Sequence, residues 1–299
     1  MTPYRGTRIA LGTMHAKERA IAKPFRRILE AEVVISTDID TDAFGTFTGE
    51  IERKGTMLDA ARAKARLAMQ QTGLPLGVAS EGSYGPHPYL PFIPGGTELV
   101  LFIDEERGIE VKHSFVVTRT NNDSHVCAPG DDIAEALSRM KFPSHAVTVR
   151  PNPSSQAKGI SSRAGRLLQS SIEAPLFKGL STSSAVVEAI QTCAALSDDG
   201  KALLVPDMRA HLNPTRMAMI RFATTSLVQR IATPCPACVT PGYGIVDVAR
   251  GLPCADCGMP TQLAVAEIHR CTVCAYESRK PLRRHDERAT PGQCEFCNP

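Results

Sequence analysis

"TRIALGTMHAKERAIAKPFRRILEAEVVIST" (residues 7–37) packs a strand, a turn, a helix and a second strand into one continuous stretch. "TRIALGT" (7–13) is a short apolar run that reads as a strand. "HAKERAIAKPFRRILEA" (15–31) sets Ile21, Phe25, Ile28 and Leu29 on one helical stripe despite Pro24. "AEVVIST" (31–37) reads as the next strand.

The alternation continues beyond this opening. A polar, glycine-bearing loop follows from Asp38 to Lys54, then an alanine-rich helix, "LDAARAKARLAMQQTG", stopped by Gly73. "LPLGVAS" is a buried strand, and "ELVLFID" with "GIEVKHSFVVT" forms a hairpin around "EERG". "DDIAEALSRMKF" is helical and "HAVTVRPN" extended, while 151–182 is rich in Pro, Ser and Gly and reads as a long loop. "SSAVVEAIQTCAALS" is a helix, "KALLVP" a strand, and Pro214 to Ile231 a last long helix. Strands alternating with helices predict an α/β fold, a mixed sheet with helices on both faces, over residues 1–233. Residues 234–299 form a separate tail.

Composition excludes several classes. The 299 residues are 42% hydrophobic and 22% charged, values of an ordinary globular chain rather than a disordered or coiled-coil one. A formal net charge of +3 does not by itself call for a polyanionic partner. No apolar run reaches the ~18 residues of a membrane span. The N-terminus lacks the apolar core and cleavage site of a signal peptide, so the expected location is the cytoplasm, with no membrane partner.

Cysteine carries the most information. Eight of the ten cysteines form C-x-x-C pairs in the tail: Cys235/Cys238, Cys254/Cys257, Cys271/Cys274 and Cys294/Cys297. In a reducing compartment such pairs are metal ligands more often than disulfides, and four pairs make two four-cysteine zinc sites of zinc-ribbon-like spacing. The intervals of 15, 13 and 19 residues permit consecutive pairing, nested pairing or a cross-brace. A closed four-cysteine site is structural, because no coordination position is left for water. "RKPLRRHDER" (279–288) could set cations against nucleic-acid phosphates. Seven Lys/Arg against seven Asp/Glu in 235–299 favour a solvated loop instead. Cys193, inside an apolar helical pattern, reads as a small core residue.

Candidate chemistry lies at strand ends in the first 233 residues. After the first strand, "GTMHAKE" runs into a helix, where backbone N–H groups, the Thr13 hydroxyl and Lys17 can hold a phosphate. Asp38, Asp40 and Asp42 alternate in the acidic loop, but the EF-hand pattern fails at Ala43 and Gly49. Glu81 stands just past a buried strand, before a glycine-bearing loop, where it could bind Mg2+ or act as general base. "PDMRAHLNPTRM" (206–217) divides in two. Asn213 and Pro214 suit a helix start, while Arg209, His211 and Arg216 suit an anionic ligand in a strand-to-helix loop.

The order strand, "GTMHAK", helix, acidic loop, "LDAARAKARLAM", strand, "SEG" and "ELVLFIDEERG" resembles the inosine triphosphate pyrophosphatase-like superfamily, nearest its inosine/xanthosine triphosphatases, over about residues 7–118. The resemblance implies that Thr13 and Lys17 cradle phosphate, Lys64 faces the site, Glu81 binds Mg2+ or activates water, and Asp104 is a supporting carboxylate. Met14 stands where that family has Asn, and its Ser-His-Arg signature is not evident. The whole chain also resembles an uncharacterised bacterial family that joins such an N-terminal region to "DMRAH-x-NPTRM" and a C-x-x-C array ending in "CNP". The resulting expectation is an Mg2+-dependent phosphohydrolase acting on a nucleotide or nucleotide-like phosphate. The alternatives are a nucleotide or nucleic-acid binding protein, with the tail contacting RNA or DNA, and a non-catalytic interaction scaffold.

Overall fold

Strand β1 (Arg8–Gly12) is buried over its last four residues, because it lies in the interior of a five-stranded sheet of order β2-β1-β3-β4-β5. The computed structural model describes residues 3–36, 55–153, 176–282 and 287–298. β2 (Glu32–Ile35) and β3 (Leu76–Pro86) flank β1 in parallel, whereas β4 (Pro94–Asp104) and β5 (Ile109–Val117) continue the sheet antiparallel. The sheet is thus mixed.

Alternation along the strands feeds two cores. Ile9, Leu11, Val78, Val100 and Phe102 face helices α1 (Glu18–Pro24) and α5 (Pro214–Ile231), where Ile21, Ile220, Leu227 and Val228 close the layer. Ala10, Ala79, Leu99, Leu101 and Ile103 face α2 (Met57–Thr72) through Ala61, Ala65, Ala68 and Met69. Helices therefore cover both faces. The alanine face of α2 brings backbone close to backbone. A Cβ on Gly12 would sit 2.5 Å from the Lys64 carbonyl oxygen, and one on Gly77 would sit 2.5 Å from the Met69 sulfur.

Helix ends follow local chemistry. Thr56 and Asp59 form a reciprocal capping box at the start of α2, and Gly73 closes it in the left-handed region (φ 65°). α1 begins at Glu18 rather than His15, because Ala16 takes a left-handed conformation (φ 52°) just before it. Pro24 has no N–H for the helical ladder, and the chain continues from Phe25 to Leu29 as a wider π-type turn.

Two differences from the sequence expectation concern strands. β3 does not stop at Ser80. It runs on to Pro86, paired with β4 throughout, so the segment expected as a loop after Glu81 is one arm of a long hairpin. The alternation after residue 118 does not extend the first sheet. It builds a second, four-stranded antiparallel sheet of order β6-β9-β7-β8, from His125–Cys127, Ala202–Pro206, Val147–Pro151 and Phe177–Leu180. α4 (Ser183–Ala195) covers it through Val186, Ala189, Ile190 and Cys193, with Met140 beyond α3 (Ala134–Arg139) in the same core. β8 falls inside the stretch read as a long loop. The alternating aspartates at 38–42 lie outside the described residues.

α5 joins the two sheets. Asn213 is its N-cap, accepting from the Arg216 N–H (3.0 Å), while its amide donates to Asn121 (3.0 Å) and to the Asp207 carbonyl (3.2 Å). The tail is an antiparallel meander of β10 (Gly244–Arg250), β11 (Ala264–Arg270) and β12 (Glu277–Pro281). No helix among the described residues is long and apolar enough to cross a membrane.

The contact at Gly12 makes Gly12→Ala a direct probe of this packing. The new methyl meets backbone rather than a movable side chain, so urea unfolding should show a loss of about 1–3 kcal/mol.

Candidate functional site

The tail's cysteines gather into two clusters, Cys235/Cys238/Cys271/Cys274 and Cys254/Cys257/Cys294/Cys297. The first C-x-x-C pair therefore joins the third, and the second joins the fourth. The meander dictates this. One strand separates each pair from the next, and a seven-residue strand carries the chain about 23 Å to the opposite end of the sheet. Odd pairs meet at one end and even pairs at the other, a cross-brace.

Cluster dimensions suit a metal. Sγ–Sγ separations are 3.6 Å for Cys235–Cys274, Cys238–Cys271 and Cys257–Cys294, and 3.9 Å for Cys254–Cys297. Four sulfurs at about 2.3 Å from a central ion would lie roughly 3.8 Å apart, whereas a disulfide needs about 2.05 Å. Within three of the pairs the first sulfur accepts a backbone N–H two residues on, from Ala237 (3.4 Å), Asp256 (3.4 Å) and Val273 (3.3 Å). The residue after the second cysteine turns left-handed in those same pairs, at Val239, Gly258 and Ala275. Each cluster can hold one metal ion and is closed by its own four ligands.

A second constellation forms at the carboxyl end of the parallel strands. β1 ends at Gly12, opposite Ala79, so β3 carries Glu81 two residues beyond the edge that β1 defines. Lys64 comes from α2 and pairs with Glu81; both are buried. Lys17, in the turn before α1, donates to the Ser80 carbonyl (2.8 Å) and is also buried. Burial pulls the Lys17 ammonium down to about 8. Glu81 and Glu98 act against that shift, while Arg216 and Lys64 add to it. Thr13 is buried in the same turn, and its hydroxyl accepts the His15 N–H (3.4 Å).

Arg216 lies behind this group rather than open to it. Fully buried, it donates through Nε to Glu98 Oε1 (2.8 Å) and through Nη1 to the Met208 carbonyl (2.6 Å). Tyr84 donates to the same Glu98 oxygen (2.9 Å), and the Arg216 guanidinium lies over its ring, 5.6 Å from the centroid. Gly82 makes room: a Cβ there would come within 2.7 Å of Glu98 and 2.8 Å of Arg216. Glu98 Oε2 and Ser80 Oγ are buried acceptors that no described residue satisfies.

The two remaining candidates of "PDMRAHLNPTRM" reach the site indirectly. Asp207 grips Arg209 through both oxygens (3.0 and 2.7 Å) and also accepts the Gly179 N–H (3.0 Å). His211 stacks on His15 at 5.3 Å, which brings the strand-to-helix loop against the turn that carries Thr13 and Lys17. Burial, then Arg209, lowers the His211 pKa, with Asp207 opposing.

Asp104 does not join them. It pairs in register with Leu76, five residues and about 17 Å along the hairpin from Glu81. There it accepts from Tyr4 (2.8 Å) and from the backbone and guanidinium of Arg107 (2.9 and 3.0 Å), locking the "EERG" turn. Its place is structural, since a strand-end carboxylate at the amino edge of the parallel strands faces away from the carboxyl-edge cluster. Glu98, Tyr84 and His15 were not singled out from the sequence. An acid opening the apolar run "ELVLFID" was the one available signal for Glu98.

Fold and sites together define a two-sheet α/β protein with a C-terminal module of paired cysteine tetrads. The chain belongs to the family described as Domain of unknown function (DUF6671), which matches residues 64–299. That span takes in Glu81, Glu98, Arg209, Arg216 and all eight tail cysteines. No curated protein and no solved structure matches the chain.

Two measurements follow from these geometries. In the cross-brace, Cys235→Ser with Cys271→Ser removes ligands from one cluster only, so elemental analysis should find one metal ion per chain. Cys235→Ser with Cys254→Ser should leave none; consecutive pairing would reverse the two results. Arg216→Met strands a buried Glu98 carboxylate and should lower unfolding free energy by about 3–5 kcal/mol in a denaturant titration.

Proposed function

We propose that the α/β part is a hydrolase acting on a nucleotide or nucleotide-like phosphate with Mg2+, and that the two cysteine tetrads hold structural zinc. The observation that carries the reading is the buried Lys17–Lys64–Glu81 group beside the Gly12–Thr13 turn, at the carboxyl edge of parallel strands. Ligands of α/β sheets bind at that edge. The resemblance over residues 7–118 to the inosine triphosphate pyrophosphatase-like superfamily supports the same chemistry.

Each residue then has a task that its surroundings explain. Thr13 and the backbone of its turn hold phosphate oxygens. Lys17 and Lys64 oppose the negative charge that builds on the phosphoryl group, and their burial strengthens that effect relative to water. Glu81 offers carboxylate oxygen for Mg2+ and for the attacking water. One carboxylate plus substrate phosphates is an ordinary Mg2+ donor set. Mg2+ would supply charge neutralisation at the phosphates. His211, Arg209 and His15 border the group on the side of the second sheet and suit the remainder of an anionic substrate. Zinc in the tetrads fits the Sγ spacing and the all-thiolate donor set.

The test uses a panel of nucleoside triphosphates, inosine and xanthosine forms included, with Mg2+. Pyrophosphate or phosphate release should fall at least a hundredfold in Glu81→Gln while circular dichroism stays unchanged. Equal background rates in both proteins would refute the hydrolase. The Lys17 shift adds a pH signature. Its ammonium is charged below about 8 and loses its proton above, so triphosphate binding should weaken as pH rises from 7.5 to 9.5. Lys17→Gln should flatten that dependence in a binding titration.

A further inference from the structure

A cleft of about 890 Å3 lies away from the Lys17–Glu81 group, between the body of the protein and the cysteine module. Its long walls are two strand edges. Among the described residues β5 pairs only with β4, and β10 only with β11, so each ends its sheet. Residues of both, Glu110 with Lys112 to Ser114 and Gly244 to Val248, line the cleft. We propose that this groove binds an extended acidic polypeptide segment, added as a strand along the free edges of β5 and β10.

Main-chain geometry comes first. The Lys112 carbonyl points off the sheet edge, where Arg230 Nη1 meets it (3.1 Å), while Arg230 Nε holds the Gly242 carbonyl (3.0 Å). Arg230 thus ties the β5 edge to the turn before β10, and the Val248 N–H is held by Asp247 Oδ1 (2.8 Å), so a guest strand pairs with the outward groups on either side of these contacts. Open edges with unpaired N–H and C=O groups are templates for strand addition.

Side chains then select the guest. The pairing of β10 with β11 slips between Ile245 and Asp247, and both Ile245 and Val246 line the groove, 49% and 41% exposed. A bulge re-aims side chains in this way, and the two make an apolar step suited to a β-branched residue. Arg62 is occupied by Glu110 through a two-pronged contact (2.8 and 2.9 Å). Beyond that pair, the described residues of the lining set Lys112, Arg230 and Lys280 against Asp247, a surplus of positive charge. His113 adds a buried Nε2 with no hydrogen-bond partner among the described residues. A single-stranded nucleic acid would also answer the charge, but it needs an aromatic face for stacking. Among the described residues the one tyrosine of the lining, Tyr243, is buried and bonded to Ser278.

The experiment selects twelve-residue random peptides, displayed on phage, against the full metal-loaded chain. Enriched peptides should alternate β-branched residues with Asp or Glu. A synthetic copy of one should bind in a polarisation assay. Methylating its alternate backbone nitrogens should weaken it at least tenfold, since main-chain pairing is lost. Lys112→Glu with Lys280→Glu, two exposed positions, should weaken it by a similar factor with metal content and circular dichroism unchanged. No enrichment, indifference to the double variant, or equal binding of the methylated peptide each overturns the proposal. So does displacement of the groove's charge dependence onto a single-stranded RNA oligonucleotide, or a concentration-dependent dimer that the double variant abolishes.

Discussion

Lys64 reaches Glu81 because only hydrogen stands on Gly12. That close approach of α2 to β1 puts a buried ammonium at the strand's end, where the longer hairpin delivers a buried carboxylate. Neither charge could remain there alone, since an unpaired buried ion costs several kcal/mol. Once paired, they fix how α2, β1 and β3 meet. Lys17 and Arg216, bonded to the Ser80 carbonyl and to Glu98, extend the same logic to α1 and α5.

The unequal lengths of the strands make the arrangement possible. β1 has five residues and β3 eleven, so the hairpin projects past the parallel core and carries polar residues where no strand covers them. Glu81 turns to the α2 face and Glu98 to the α5 face, because their register positions differ by one. The second sheet and the start of α5 close over the Glu98 side through Asn213, Asn121 and the Asp207 carbonyl. A catalytic reading and a purely structural one share these contacts. What distinguishes the catalytic reading is that Lys17, from the turn before α1, and Lys64, from α2, both lie beside Glu81, with Thr13 in the same turn as Lys17.

The module at the end of the chain obeys a simpler constraint. Thiolates repel unless an ion lies between them, and antiparallel strands alternate the ends at which the C-x-x-C turns fall. Together these produce two four-sulfur clusters at opposite ends of a three-stranded sheet. Arg230 ties the module to the body through carbonyls on both sides, which leaves the edges of β5 and β10 facing one groove.

Local chemistry was legible in the residues themselves. The capped α2, the Asn213–Pro214 start of α5, the α/β alternation and the eight C-x-x-C cysteines all follow from periodicity, caps and spacing, which act within a few positions of the chain. Glu81, Thr13 and Lys17 stand out in the sequence at strand ends and Lys64 only through the resemblance, and the fold brings Lys17 and Lys64 beside Glu81. Asp104, a supporting carboxylate by the resemblance, stands at the opposite edge of the sheet, because only register says which edge a strand end occupies. The split into two sheets, the extension of β3 to Pro86, the burial of Arg216 on Glu98 and the cross-brace rested on tertiary structure alone. Each depends on which strand lies beside which, and pairing between residues as far as 118 positions apart leaves no periodic trace in a single sequence.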